Sequence, residues 1–106
     1  MNSIKLLALA ITAELLATSS LKASDGFTRL VPSLTTVGGY ATSFYLLALT
    51  LRSMEVGVVY AMWSGAGTAI MALIGYWFFN ESMSALKIMS IALIVGGVVG
   101  LNLGKA

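Results

Sequence analysis

Apolar residues run along this chain in four long stretches, and charge is confined almost wholly to the gaps between them. The first stretch, Leu6 to Leu21, lies between Lys5 and Lys22 and is broken only by Glu14. The other three, Leu30 to Leu51, Val56 to Asn80 and Ile88 to Gly104, are uncharged throughout. The four stretches hold 80 of the 106 residues, and the other 26 carry nine of the ten charged side chains. A helix that crosses a bilayer needs about 20 apolar residues, and snorkelling Lys5, Lys22, Lys87 and Lys105 lengthen the shorter runs. The runs are continuous and rich in Leu and Ala, unlike the roughly 10-residue alternating segments of a membrane β-barrel. The pattern predicts an all-α integral membrane protein: an antiparallel bundle of four helices over about 4–21, 31–51, 56–79 and 86–103, forming a single membrane domain across 1–106.

The connections are short. Lys22 to Arg29 is eight residues, Arg52 to Glu55 is four and Glu81 to Lys87 is seven, which leaves no room for a soluble domain. Ser24-Asp25-Gly26 has turn chemistry, and Asn80 to Ser84 reads as a second turn. Pro32 falls in the first turn of the second helix, where its missing N–H costs nothing. A cleavable leader would want an uninterrupted apolar core, and Glu14 breaks this one, so the first stretch is expected to be a helix of the protein.

Composition sharpens this picture. Hydrophobic residues make up 58% and charged residues 9%, against roughly 25% charged in soluble domains, and the mean hydropathy is +0.95. The natural solvent is a membrane. No cysteine means no disulfide framework and no thiolate metal site, and no histidine means no ordinary neutral-pH proton carrier. Proton chemistry must fall to carboxylates. The net charge is +2 and the six Lys and Arg are scattered, so there is no nucleic-acid footprint. Nothing pairs a nucleophile with a base, clusters metal ligands or forms a phosphate-binding glycine loop, so neither an enzyme nor a cofactor is expected. With helices alternating in direction, Lys5, Arg52 and Lys105 fall on one side of the membrane and Lys22, Arg29 and Lys87 on the other. Orientation follows an excess of Lys and Arg on the cytoplasmic side, and this even count supplies none.

Glu14 is the exception to the charge pattern. A charged group near the bilayer midplane costs on the order of 3 kcal/mol, and no Lys or Arg lies within another stretch to compensate it. Its expected partner is therefore mobile, a proton or an organic cation; the alternative is a protonated acid that only joins helices. Leu7, Ala10, Glu14, Ala17, Thr18 and Leu21 share one stripe by steps of three and four. Tyr40, Ser43, Phe44 and Leu47 share a face of the second helix, and Tyr60, Trp63, Ser64 and Gly67 one of the third. Aromatic faces beside an acid suit a hydrophobic organic cation, through opposite charge and cation–π contact; plain packing is the alternative. The expected substrate lining is Leu7, Ala10, Ala17, Thr18, Tyr40, Ser43, Phe44, Tyr60 and Trp63.

Glycines add assembly and movement. Gly65 and Gly67 lie in the middle of the third stretch, where they read as a bend point or as a close packing contact. Gly96, Gly97 and Gly100 give the fourth helix a small-residue face suited to close crossing. Four helices are few to enclose an organic-cation path, and two copies supply eight, so this face is the expected dimer seam.

The array Ala10, Glu14, Thr18 and Leu21-Lys22, then Gly26-Phe27-Thr28-Arg29 and Pro32, then Tyr60-Ala61-Met62-Trp63-Ser64-Gly65-Ala66-Gly67 resembles the small multidrug resistance family of bacterial exporters. The resemblance covers essentially the whole chain. It implies an antiparallel, dual-topology homodimer in the bacterial inner membrane that exchanges protons for organic cations, with Glu14 shared by both ligands. Protons, small organic cations, membrane lipid and a second copy are the implied partners, and a heteromeric pair is the alternative assembly. Glu14 is followed by Leu15, Leu16 and Ala17, without the nearby aromatic of guanidinium exporters, so the match is to the quaternary-ammonium and multidrug branch. Ala17 and Ser90 stand where that branch usually has glycine, and a methyl at 17 would narrow the pocket or stiffen the first helix. Competing readings are a guanidinium or polyamine exporter of the same family, a proton or cation channel, and a structural membrane subunit.

Overall fold

The computed structural model describes residues 2–104 and contains four α-helices, α1 (Ser3–Ala23), α2 (Leu30–Thr50), α3 (Val56–Phe78) and α4 (Ala85–Gly104). Lys105, which closes the fourth charge-free stretch, lies outside the described residues. The chain divides after Glu55 into two compact units, each a pair of helices. α1, α3 and α4 are long and apolar enough to cross a membrane.

In the first unit, α1 starts where the Asn2 side chain accepts the Ile4 N–H at 2.7 Å, which satisfies one of the orphan donors of a helix start. Ser24 ends it. The Ser24 N–H donates to the Ser20 carbonyl at 2.8 Å, its Oγ donates to the Leu21 carbonyl at 2.7 Å, and that Oγ accepts the Phe27 N–H at 3.0 Å. Asp25, Gly26 and Phe27 then take φ values of 50°, 68° and 66°, and this left-handed run turns the chain back at the expected Ser24-Asp25-Gly26. α2 returns antiparallel to α1, so rising numbers meet falling ones: Ser3 with Ser53, Ala10 with Ser43 and Ala17 with Gly39. Pro32 sits in the first turn of α2.

α2 carries six hydroxyl side chains besides its tyrosines. Five turn back onto carbonyls of α2 or its cap: Ser33 to Arg29, Thr35 to Val31 at 3.0 Å, Thr36 to Pro32 at 2.8 Å, Thr42 to Gly38 at 2.9 Å and Thr50 to Leu46 at 2.9 Å. The sixth, Ser43, crosses to α1. An unsatisfied polar group in hydrocarbon costs several kcal/mol, and here each of these hydroxyls has an acceptor within the unit.

In the second unit, α3 runs unbroken through Gly65-Ala66-Gly67. A Cβ at Gly65 would meet Val98 and lie 3.2 Å from Ile94 Cγ2, so the missing side chain is what admits α4. At the far end the Gly75 carbonyl accepts both the Phe79 and the Glu81 N–H at 3.0 Å, with Asn80 at φ 55° between them. The Glu81 carboxylate folds into the space a Cβ on Gly75 would take. Ser84 caps α4 by accepting the Lys87 N–H at 3.1 Å, and Lys87 Nζ donates to the Ser82 carbonyl at 2.8 Å. No described residue of α4 is buried.

Candidate functional site

Glu14 sits near the middle of α1, nine residues past Lys5 and eight before Lys22. At about 1.5 Å of rise per residue those cations are separated from it by roughly 13 and 12 Å of helix. Its carboxylate is half-buried. One turn on, where side chains four apart meet, the Thr18 hydroxyl donates to Glu14 Oε2 at 2.8 Å. The same Thr18 oxygen lies 2.7 Å from the Tyr40 hydroxyl on α2. A hydroxyl has one proton to give. Thr18 gives its proton to the carboxylate, so Tyr40 must be the donor to Thr18, and the chain of bonds runs Tyr40 to Thr18 to Glu14.

Two further contacts fix this register. The buried Ser43 Oγ donates to the Ala10 carbonyl at 2.7 Å, the carbonyl that also takes the Glu14 N–H in the helical i to i−4 pattern. The backbone turn carrying Glu14 is thus pinned from α2. Gly39 faces Ala17 so closely that a Cβ on it would lie 2.8 Å from Ala17 Cβ, 3.2 Å from Ala17 Cα and 3.3 Å from the Ala13 carbonyl oxygen. The Ala17 methyl is fully buried in that contact.

The predicted lining residues of the first unit therefore come together in different capacities. Glu14, Thr18 and Tyr40 form the polar core. Leu7, Ala10 and Ala17 are buried, and Ser43 spends its hydroxyl on the backbone. Phe44 is 54% exposed and stacks on Tyr40 with ring centres 6.1 Å apart and planes 19° from parallel. In the second unit Tyr60, 64% exposed, meets Trp63 edge to face at 6.1 Å and 70°, and the Trp63 indole nitrogen is buried. Gly65 is a packing contact with α4, and Gly67 is buried within α3. A Cβ on Gly96, Gly97 or Gly100 would meet nothing within 4 Å, so the fourth-helix face is open.

Gly39 is the contributor that sequence pattern alone does not single out. The available signal is its place: one residue before Tyr40 and four before Ser43, on the flank that both side chains turn toward α1.

Comparison with known proteins agrees with the sequence pattern. A family model described as "Small Multidrug Resistance protein" matches residues 1–94. A "Multidrug resistance protein mmr" of Mycobacterium leprae is 48% identical over 98 residues, covering 92% of each chain. A "Quaternary ammonium compound-resistance protein QacF" of Klebsiella aerogenes is 46% identical over 97 residues, covering 92% of this chain and 88% of the relative. A "Multidrug transporter PA4990" of Pseudomonas aeruginosa is 42% identical over 97 residues with the same coverage.

Proposed function

The chain belongs to the small multidrug resistance family, a family of small membrane proteins, and on that premise we propose that it exports hydrophobic organic cations in exchange for protons across the bacterial inner membrane. Quaternary ammonium compounds, cationic dyes and cationic drugs are its substrate class. The observation that carries this reading is the setting of Glu14: an acid in mid-helix whose hydrogen-bond donor is the neutral Thr18 hydroxyl. A hydroxyl orients a carboxylate without neutralising it. The negative charge remains for a mobile cation, and a proton and an organic cation exclude one another there.

On the cytoplasmic side an organic cation displaces the proton from Glu14; on the outer side, protons at higher activity displace the cation. The Tyr40 and Phe44 stack offers a π face to the substrate, and the Tyr60 and Trp63 pair offers a second aromatic surface. Gly65 and Gly67 are the proposed bend point of α3, and bending there requires release of the Gly65 packing contact with α4 as the two open forms exchange. The working unit is a homodimer in which the copies insert in opposite orientations. Support comes from the even distribution of Lys and Arg and from the open Gly96, Gly97 and Gly100 face. Two copies bring two Glu14 carboxyls to the working unit.

Drug-dependent proton release from the purified chain tests the exchange. Tetraphenylphosphonium added to lightly buffered protein should release protons saturably, with the same concentration dependence as binding. Binding with no change in pH would refute competition and favour a channel or a structural subunit. Topology is checked separately by adding one lysine beside Lys5. An even count is easily tipped, so a C-terminal reporter should shift from mixed to predominantly one orientation. A reporter that is already uniform, or that does not respond, contradicts dual insertion.

A further inference from the structure

The hydrogen-bonded chain around Glu14 bears on which cations the site accepts. A guanidinium group recognises a carboxylate through two parallel N–H···O bonds, one to each oxygen. A quaternary ammonium or phosphonium ion has no N–H. It needs the negative charge and apolar surroundings, and asks nothing directional of either oxygen. Glu14 presents its two oxygens unequally, because Oε2 already accepts the Thr18 hydroxyl at 2.8 Å. Thr18 in turn is held from the other side by Tyr40 at 2.7 Å. Tyr40 is held by its stack on Phe44 and by the close approach of Gly39 to Ala17 beside it. The threonine therefore cannot turn its hydroxyl away from Glu14 without breaking two bonds.

We propose that Thr18 is a specificity-determining residue, which by taking one of the two acceptor positions of Glu14 Oε2 and fixing the carboxylate's orientation disfavours guanidinium compounds that would fork across both oxygens and so favours cations lacking N–H donors. A guanidinium must share Oε2 with the threonine or bind through Oε1 alone. A phosphonium loses nothing. This rests on the reading above, that organic cations bind at Glu14, and adds to it the side chain that selects among them.

The test compares dissociation constants of the full chain in lipid nanodiscs for tetraphenylphosphonium and phenylguanidinium, by titration calorimetry at one pH. Thr18→Val keeps the branched shape and removes the hydroxyl. It should move the ratio of the two constants about tenfold toward phenylguanidinium, an equivalent of ~1.4 kcal/mol. Thr18→Ser keeps the hydroxyl and should keep the wild-type ratio. Tyr40→Phe releases Thr18 and should move the ratio in the same direction as Thr18→Val by a smaller factor; it also carries the test should Thr18→Val not accumulate. An unchanged ratio in Thr18→Val and Tyr40→Phe overturns the proposal, as does a shift in Thr18→Ser equal to that in Thr18→Val; equal loss of both ligands marks Thr18 as purely structural. Failure of the underlying reading looks different: wild type would bind neither cation, or Glu14→Gln would bind both as wild type does.

Discussion

Glu14→Gln is expected to end export of quaternary ammonium compounds against a gradient while leaving the protein folded and inserted. Glutamine matches glutamate in shape, and its amide oxygen still accepts from Thr18, so the hydrogen-bonded chain to Tyr40 survives. What goes is the charge and the exchangeable proton. Removing one partner of a buried charge pair costs about 2–5 kcal/mol, and ~1.4 kcal/mol is tenfold, so cation affinity should fall by at least about 30-fold. Insertion should not suffer, because a mid-membrane charge costs on the order of 3 kcal/mol and the variant no longer carries one. The measurement is uptake of a labelled phosphonium into proteoliposomes under an imposed pH gradient, with membrane abundance recorded alongside. A variant that still concentrates the substrate would remove Glu14 from the mechanism.

Gly39→Ala should destabilise the first unit, against the usual direction of such a change. In a helix interior, Gly to Ala normally stabilises by about 1 kcal/mol. Here the added carbon would lie 2.8 Å from Ala17 Cβ, with Ala17 Cα at 3.2 Å and the Ala13 carbonyl oxygen at 3.3 Å. None of these atoms sits at the end of a flexible side chain. α2 must draw back, at a cost of about 1–3 kcal/mol typical of overpacking, and the Thr18–Tyr40 and Ser43–Ala10 bonds stretch with it, each contributing about 1 kcal/mol. Packing loss exceeds the propensity gain. Ala17→Gly in the same chain removes the opposing methyl and should recover part of the loss, because the contacts with the residue 17 Cα and the Ala13 carbonyl oxygen remain. Thermal unfolding in mild detergent would read this as a lowered midpoint for Gly39→Ala and an intermediate one for the double variant. A raised midpoint for Gly39→Ala would show the approach to be looser than these distances.

How far the sequence can be read depends on where each feature is encoded. Helix ends are legible from Lys5, Lys22, Arg29, Arg52 and Glu55 because charged side chains cannot lie free in hydrocarbon. The prominence of Glu14 follows from the same rule. The partner of its carboxylate is half legible: Thr18 shares its stripe by helical spacing alone, whereas the Tyr40 contact depends on how α2 is phased against α1. That phase is set by Gly39. Glycine has no periodic signature, and its value comes from whichever methyl happens to face it. Ala17 illustrates the point, since its methyl can be read as narrowing a pocket, while its position in the fold is against the backbone of α2. Gly65 is similar, legible as a special position in α3 but not as the seat of Val98.

The six hydroxyls of α2 have a consequence for motion. Five are answered by carbonyls of the same helix or its cap, so α2 carries the solvation of its polar groups with it and borrows little from lipid headgroups or water. Such a helix can change its depth in the bilayer without exposing an unmet donor. The sixth hydroxyl, on Ser43, is tied to the first helix. A displacement of α2 therefore takes α1 along, and Glu14 with it, over a range bounded by Lys5 and Lys22 at the ends of α1.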